Sequence, residues 1–561
     1  MSHHDDALPL WAADDQAARL AELVATDEDL KVAPLRRDVR LLGTLLGRVI
    51  REQAGDAIFE AVERIRLLAI RHRESDAGGV APAADAGLMA EAERLVDGLS
   101  LADAHRLTRA FAIYFDLTNL AETAHRKRRR RASRLAGRAA PQPGTPAGTL
   151  VRLREAGLTV EQVRGHLEAV EVVPVFTAHP TEVARRTVRF KHRRIAEALD
   201  ALDRVPLAPL DAAAIEAGLT AEITTLWQTD DVRRQRPAVS DEVRMGLDYY
   251  ADVLIDTVPA VYDEWREAFV AAYGDAPALP RLLRFGSWIG GDADGNPYVT
   301  PAVTRDALQL ARETIVAAYV RRLEALVERL STSSRRAPVS ANVQARLDRY
   351  AQRIPSLDPA PESRSPHEVY RRLLGYMGWR LRQAAVPGAE GDGYPSAAAF
   401  LDDLRAIRDS LAAHQGERLA AAHLDPLIRQ VETFGFHLHT LDLRQHARVH
   451  QRALAEIEEV TRPGALAPSP SSATRAVVDA MRELAVLKRV YPPASIRTAI
   501  ISGATGVDDV LALVRLLEVA GVRVGGEQAA RPVARARGDP RAPLPGADVG
   551  VDRQEGGAVV A

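Results

Sequence analysis

Apolar residues recur along most of the chain at the spacing that lines one face of an α-helix. The first such stripe begins near residue 35 and consists of Leu41, Leu42, Leu45, Leu46, Val49 and Ile50. Because these side chains share one face, we expect that face to be buried. Similar patterns extend through residues 57–71, 90–124, 163–170 and 212–272, so helix is predicted to dominate the first half.

Two later helices are predicted from capping residues as well as from periodicity. Thr300 supplies the N-cap and Pro301 the first-turn proline of one helix. Its predicted buried stripe consists of Leu308, Ala311, Ile315, Tyr319, Leu323, Leu326 and Leu330. Ser365, Pro366 and Glu368 predict the start of the other, with a capping box.

Short apolar runs that favour β-strand are few. They lie at residues 172–176, 282–288, 436–444 and 496–502. Each run precedes a polar or glycine-rich turn and then a helical pattern, which is the order of a β/α unit. In a parallel β/α barrel the residues just past the strands face the active site, so reactive side chains are expected at these turns.

Composition narrows the classes of function. The chain has 561 residues, of which 47% are apolar, and this length can bury a large core. Lys plus Arg number 74 against 76 Asp plus Glu, so no overall charge attracts nucleic acid or an anionic membrane. The absence of cysteine excludes disulfides and thiolate chemistry. With no signal-peptide pattern and no apolar run near the roughly 18 residues of a membrane span, a soluble cytoplasmic protein is predicted.

The first candidate for chemistry is the turn that contains His179. Pro180 stiffens this turn, and an imidazole with an unperturbed pKa of about 6.5 suits proton transfer near neutral pH. Arg185 and Arg186 in the helical pattern that follows are suited to bind a phosphate through paired hydrogen bonds. A histidine with a local hydrogen bond beside a solvated arginine face fits the same spacing, so both interpretations stay open.

A second candidate is the glycine-rich segment at residues 285–300. Its glycines let the backbone approach a ligand closely, and Asp292 and Asp294 offer carboxylates. The match to a calcium loop fails because Gly295 precedes Asn296 and no glutamate follows at the required distance. A plain turn remains the alternative.

The third candidate is the segment at residues 434–450, which combines a buried strand pattern with charged residues. Asp442 and Arg444 lie near the end of that strand and need partners or ligands, which makes Arg444 a candidate anion ligand. The segment also contains His437, His439, His446 and His450. The last two are one helical turn apart, so a metal site is an alternative, although the adjacent glutamate of a zincin helix is missing.

Taken together and in this order, the segments resemble phosphoenolpyruvate carboxylases. The resemblance covers about residues 35–521 and rests on LRRDVRLLGTLLGRVI, FTAHPTEVARRTV, LWQTDDVRRQRP, FGSWIGGDADGNP, FGFHLHTLDLRQH and AIISGATGVDDVLALVRLLEVAG. HPTE and GGDxDGNP are highly specific as a pair. The resemblance implies a mainly α fold with a β/α barrel core of the TIM type, here incomplete, and assembly as a homotetramer.

The resemblance also implies a reaction, in which phosphoenolpyruvate and bicarbonate give oxaloacetate and phosphate. Bicarbonate attacks phosphorus to form carboxyphosphate and the enolate of pyruvate. The histidine matching His179 helps carboxyphosphate to release the carbon dioxide that the enolate captures, and Arg444 matches an arginine that contacts the phosphorylated species. Supporting substrate-binding roles are implied for Arg185, Arg186, Asp292, Asp294 and Asn296.

The sequence departs from the family pattern in two respects. Position 293 is alanine where an arginine is expected, so no contact is assigned there. The family uses Mg²⁺ or Mn²⁺, but the segments with the metal-binding glutamate and aspartate do not occur in this sequence, so no metal ligand is assigned.

The chain is predicted to comprise an N-terminal extension at 1–30, a carboxylase-like part at 31–521 and a non-homologous tail at 522–561. The tail has no aromatic residue and is dominated by Ala, Arg, Gly, Pro and Val, which predicts disorder. Such a tail is expected from an out-of-frame reading of GC-rich DNA or another truncation. We therefore expect this polypeptide alone to be poorly soluble and without carboxylase activity.

Two alternatives belong to other classes of protein. The first is an inactive helical fragment or interaction subunit that lacks the metal site. The second treats the basic run at residues 125–131 as a nucleic-acid patch, which the absence of an accompanying aromatic stacking platform disfavours.

Overall fold

The structure is a computed structural model. It describes residues 21–22, 25, 27–77, 82–136, 141–177, 186–204, 207–230, 237–354, 357, 365–386, 388, 391–462, 469–522 and 557–560. His179 and Arg185 lie outside these residues. As the sequence predicts, the chain is mainly helical.

The helices and strands are numbered in chain order. The helices are α1 (Glu28–Ala54), α2 (Asp56–Ala77), α3 (Pro82–Asp97), α4 (Leu101–Ala136), α5 (Pro146–Glu155), α6 (Val160–Glu168), α7 (Arg186–Leu202), α8 (Pro209–Gln228), α9 (Val239–Tyr249), α10 (Ile255–Tyr273), α11 (Pro301–Arg329), α12 (Ala341–Arg353), α13 (Val369–Gln383), α14 (Ala397–Ala413), α15 (Glu417–Leu419), α16 (Asp425–Phe434), α17 (Ala447–Thr461), α18 (Ser472–Val490) and α19 (Val507–Val519). The strands are β1 (Val175–Phe176), β2 (Gly286–Ser287), β3 (Thr440–Leu441), β4 (Leu443–His446), β5 (Ala499–Ser502) and β6 (Gly557–Val560). π-Helical turns at Tyr250–Leu254 and Ala420–Leu424 precede α10 and α16.

The chain divides into two compact units. The first comprises residues 1–140 and 184–234, and the second comprises residues 141–183 and 235–561. This division cuts through the span 31–521 that the sequence treats as one part. The boundaries at residues 30 and 521 stay predictions.

The core of the first unit forms from the stripe on α1. All six predicted side chains of this stripe, from Leu41 to Ile50, are at most 4% exposed, so the prediction of a buried face is confirmed. They pack in one cluster with apolar residues of α4, α7 and α8. Arg128 of α4 is also buried and pairs with Asp38 at 2.7 Å and Asp203 at 2.8 Å, so the interior charge is compensated.

Helix α11 organises the second unit. The Thr300 hydroxyl accepts a hydrogen bond from the Val303 N–H, Pro301 occupies the first turn, and the predicted stripe from Leu308 to Leu330 is buried, so this helix is confirmed.

The predicted helix start at Ser365 is wrong. Helix α13 begins at Val369, and Glu368 at its N-cap makes no side-chain cap hydrogen bond. The Glu368 carboxylate instead pairs with Arg371 at 2.6 Å, so the capping box does not form.

All four predicted strand segments contain strands, although each is only two to four residues long. Strands β1, β2 and β3 form a parallel sheet in that order, with Val175 opposite Gly286 and Gly286 opposite Thr440. After a break at Asp442, β4 pairs in parallel with β5. Strands β2 and β5 are each followed by a turn and then by α11 and α19, as predicted, whereas β4 passes directly into α17 without a turn. Residues 178–185, after β1, lie outside the described part.

Five residues of the predicted disordered tail are described, Val522 and Gly557–Val560, and the last four form β6. This strand pairs antiparallel with β5, with Val560 opposite Ala499. Residues 523–556 lie outside the described part, so disorder of the rest of the tail stays a prediction.

Candidate functional site

The candidate site forms where the strands of the second unit end. Because β1, β2 and β3 are parallel, their carboxyl ends lie at one edge of the sheet. The loop after β2 is joined to β4 by two backbone hydrogen bonds of 2.9 Å, from the Arg444 N–H to the Gly291 carbonyl and from the Ala293 N–H to the Arg444 carbonyl. These bonds bring the glycine-rich segment and the LDLRQ segment together.

The Arg444 side chain is the centre of this arrangement. Its Nη1 lies 3.2 Å from the Asp292 carboxylate, and its Nη2 lies 3.2 Å from the Asp294 carboxylate. The guanidinium carbon is 5.0 Å from the centroid of the Trp288 ring, so the cation also has an aromatic contact. The Arg444 side chain is 29% exposed, which leaves it accessible to a solute.

Asp292 and Asn296 of the glycine-rich loop accept different hydrogen bonds. Asp292 also accepts a hydrogen bond of 3.1 Å from the Asp294 N–H, which fixes the turn between the two carboxylates. Burial raises the pKa of Asp292, and the Arg444 guanidinium opposes that rise. Asn296 accepts a hydrogen bond of 3.1 Å from the Tyr298 N–H, so its side chain stabilises its own turn.

Gly291 is required because the loop approaches β4 closely. A Cβ atom at this position would lie 2.3 Å from the carbonyl oxygen of Asp442. We expect Gly291→Ala to lower the free energy of unfolding by about 1–3 kcal/mol, since backbone must move to relieve the contact. Urea denaturation measures this change. Gly165→Ala is the matched control, because a Cβ atom there meets open space within α6, and equal effects of the two substitutions would contradict the prediction.

The four histidines near Arg444 do not form a metal cluster. The His446 ring accepts a hydrogen bond of 3.1 Å from the Arg448 N–H and caps α17. Burial lowers the pKa of His437 to about 3 and those of His439 and His450 to about 4, so these rings are neutral at neutral pH.

The described residues do not fit a divalent metal ion. No group of three or more His, Asp or Glu side chains among them could hold one. Asp292 and Asp294 are the carboxylates nearest to the site, and both pair with Arg444, whose positive charge opposes a second cation.

The sequence-predicted site residues fall into three groups. Arg444, Asp292 and Asp294 are brought together, as described above. Arg186 is the exposed first residue of α7 in the first unit. The position of His179 relative to Arg444 is not described, so their predicted convergence stays a prediction, although β1, the strand before His179, ends at the same sheet edge.

Trp288 was not among the sequence-predicted site residues, yet it contacts Arg444. Two signals were available. Tryptophan is scarce, with five in the chain, and this one ends a predicted strand segment two residues before the glycine pair at 290 and 291. A large aromatic side chain at a strand end, beside a flexible turn, is well placed to support a charged neighbour.

Parallel strands that alternate with helices define a β/α protein, in which ligand sites lie beyond the carboxyl ends of the strands. Arg444 lies three residues past the end of β3, beside the loop that follows β2. Comparison with known proteins gives the family. Residues 35–467 match the family model of phosphoenolpyruvate carboxylase. The chain therefore belongs to the phosphoenolpyruvate carboxylase family.

Individual proteins of this family are also similar to the chain. The chain is 36% identical over 542 residues to a phosphoenolpyruvate carboxylase of Azorhizobium caulinodans, covering 89% of this chain and 56% of that protein. It is 38% identical over 442 residues to one of Burkholderia mallei, covering 77% and 43%, and 35% identical over 520 residues to one of Rhodopseudomonas palustris, covering 87% and 55%. The chain thus spans about half the length of the curated relatives that it matches.

Proposed function

We propose that the second unit carries the phosphoenolpyruvate-binding part of a carboxylase that converts phosphoenolpyruvate and bicarbonate into oxaloacetate and phosphate. The observation that carries this proposal is the position of Arg444, just past the carboxyl end of β3 and beside the loop after β2, where two carboxylates and an aromatic ring contact it. A guanidinium presents five N–H donors in a planar fork that matches phosphate. Asp292 and Asp294 each approach a different terminal nitrogen, so donors remain for an anion.

The charged side chains around Arg444 restrict how an anionic ligand can bind, because Arg444 attracts the anion and the two carboxylates repel it. Two carboxylates face one guanidinium, so an incoming phosphate must point at the arginine and away from Asp292 and Asp294. This requirement selects one orientation of the phosphoryl group. A phosphorylated three-carbon acid held in this way presents its phosphorus to a nucleophile from the open side.

The proposed chemistry assigns steps to groups of this chain. A bicarbonate oxygen attacks phosphorus, the bond from phosphorus to the enol oxygen breaks, and carboxyphosphate and the pyruvate enolate result. Carboxyphosphate then loses phosphate to give carbon dioxide, and the enolate carbon attacks it. Charge develops on phosphate and enolate oxygens, where Arg444 stabilises it. His179 is assigned proton transfer, and supporting roles are assigned to Arg185 and Arg186.

The architecture proposed for the second unit is a barrel of the TIM type. The support is the parallel pairing of β1 with β2, of β2 with β3 and, in a second sheet, of β4 with β5. Family membership supports a homotetramer in the cytoplasm and dependence on Mg²⁺ or Mn²⁺, for which no ligand of this chain is assigned. None of the described helices combines the length and hydropathy needed to cross a membrane.

A pair of ligands tests the proposal. Isothermal titration calorimetry with phosphoenolpyruvate is expected to show binding, whereas pyruvate, which lacks the phosphate, should bind at least tenfold more weakly. Equal affinities, or no binding of phosphoenolpyruvate, would contradict the assignment.

A coupled assay with phosphoenolpyruvate, bicarbonate and Mg²⁺ tests turnover separately. Because the described residues form no metal site, we expect no turnover above that of a His179→Ala control. Binding without turnover is the outcome expected of this chain, and turnover by it would overturn that expectation.

A further inference from the structure

Trp288 is enclosed between two charged residues of the strand region. The Arg444 guanidinium lies over its ring at 5.0 Å from the centroid. Its indole nitrogen is buried and has no partner at hydrogen-bond geometry among the described residues. The Asp442 carboxylate is nevertheless close enough to interact with this indole N–H. A small adjustment of the Trp288 ring would therefore give a buried donor an acceptor, which removes an energetic cost.

The backbone on both sides of Asp442 is fixed. Its N–H donates a hydrogen bond of 2.9 Å to the Ser287 carbonyl, and its carbonyl lies against Gly291, where no Cβ fits. The adjoining Leu443 N–H donates to the Thr498 carbonyl at 3.0 Å. These contacts restrain the backbone at Asp442, so an adjustment here involves side chains.

The surroundings of Asp442 contain little compensating charge. The side chain is almost completely buried, with the residue 8% exposed. Thr498 of the segment before β5, Trp288 after β2 and the cation Arg284 before β2 are the groups that favour its ionised form. Burial exceeds their effect and raises the pKa of Asp442 to about 6.

We propose that Asp442 is a positioning residue, which holds the Trp288 indole by accepting its N–H so that Trp288 supports the Arg444 guanidinium. Asp442 contacts neither substrate nor reacting atoms in this arrangement. Its effect on substrate rests on the proposed function, whereas its contact with Trp288 does not.

Tryptophan fluorescence tests the contact without any ligand. The difference between the wild-type and Trp288→Phe spectra isolates the emission of Trp288 from that of the other tryptophans. This emission is expected to titrate with a midpoint near pH 6 and to become independent of pH in Asp442→Asn. A titration that persists in Asp442→Asn, or its absence from the wild type, would overturn the proposal.

Two further variants test whether the change in emission comes from Asp442 and not from a general change of structure. Thr498→Val removes a group that lowers the pKa of Asp442, so it should move the midpoint to higher pH. Asp402→Asn alters a carboxylate that is 67% exposed and should leave the midpoint unchanged. Far-ultraviolet circular dichroism confirms that each variant is folded, and an unmoved midpoint in Thr498→Val would count against the assignment.

Ligand affinity tests the consequence for Arg444. Above pH 7 the wild type, with Asp442 ionised, should bind phosphoenolpyruvate about threefold to tenfold more tightly than Asp442→Asn. At pH 5 the two should bind equally, because Asp442 is then protonated. Ionisation of the ligand does not affect the ratio of the two dissociation constants, because both proteins bind the same ligand at each pH. A ratio of affinities that does not depend on pH would refute the positioning role of Asp442. If neither protein binds phosphoenolpyruvate, the proposed function is refuted, and the fluorescence titration alone decides whether Asp442 contacts Trp288.

Discussion

Arg444→Gln is expected to weaken phosphoenolpyruvate binding about a hundredfold, which corresponds to about 3 kcal/mol. The substitution removes a charged donor that forms paired hydrogen bonds with phosphate, and glutamine replaces it with a neutral amide. It also leaves Asp292 and Asp294 without their shared cation, so the site becomes repulsive to an anion. Isothermal titration calorimetry at pH 7.5 measures the change in Kd.

Two further substitutions show whether the loss is specific. Arg444→Lys keeps the positive charge but not the planar fork, so an intermediate loss of affinity is expected. Arg482→Gln is the matched control, because Arg482 is 64% exposed on α18 and pairs only with the exposed Asp479 among the ion pairs of the described residues. An unchanged Kd in Arg444→Gln, or an equal loss in Arg482→Gln, would exclude Arg444 as the phosphate ligand.

Asp403→Ala is expected to lower the free energy of unfolding of the second unit by about 3–5 kcal/mol. Asp403 is 1% exposed and accepts hydrogen bonds from Tyr350 at 2.5 Å, Tyr394 at 2.6 Å and Arg346 at 2.6 Å. Arg380 also lies near this carboxylate and donates to Tyr350. Alanine would leave several buried donors without their acceptor and remove the charge that compensates the two arginines.

The neighbouring carboxylate provides the control. Asp402 pairs with the same Arg346 at 2.8 Å but is 67% exposed, so Asp402→Ala should cost less than about 1 kcal/mol. Urea denaturation followed by circular dichroism measures both variants. Similar losses for the two substitutions would show that burial does not set the energy of this network.

Local sequence patterns determined much of the fold. The stripe from Leu41 to Ile50 and the capped helix that begins at Pro301 follow from helical periodicity and from the hydrogen bonds of the first turn, which involve only residues close in the chain. The four strand segments were identified from short apolar runs followed by turns. Where a cap competes with a nearby ion pair, as at Glu368, the same reasoning gave the wrong helix start.

The sequence by itself also determined the family, because the quoted segments match in wording and order, and it identified Arg444, Asp292 and Asp294 as candidates. Only the tertiary structure decided that Arg444 pairs with both Asp292, 152 positions earlier in the chain, and Asp294. It also showed that Trp288 contacts Arg444 and that the Asn296 side chain accepts a hydrogen bond within its own loop. The physical reason is that these contacts depend on the parallel register of β2, β3 and β4, and strand register is set by pairing between distant segments that no local pattern encodes.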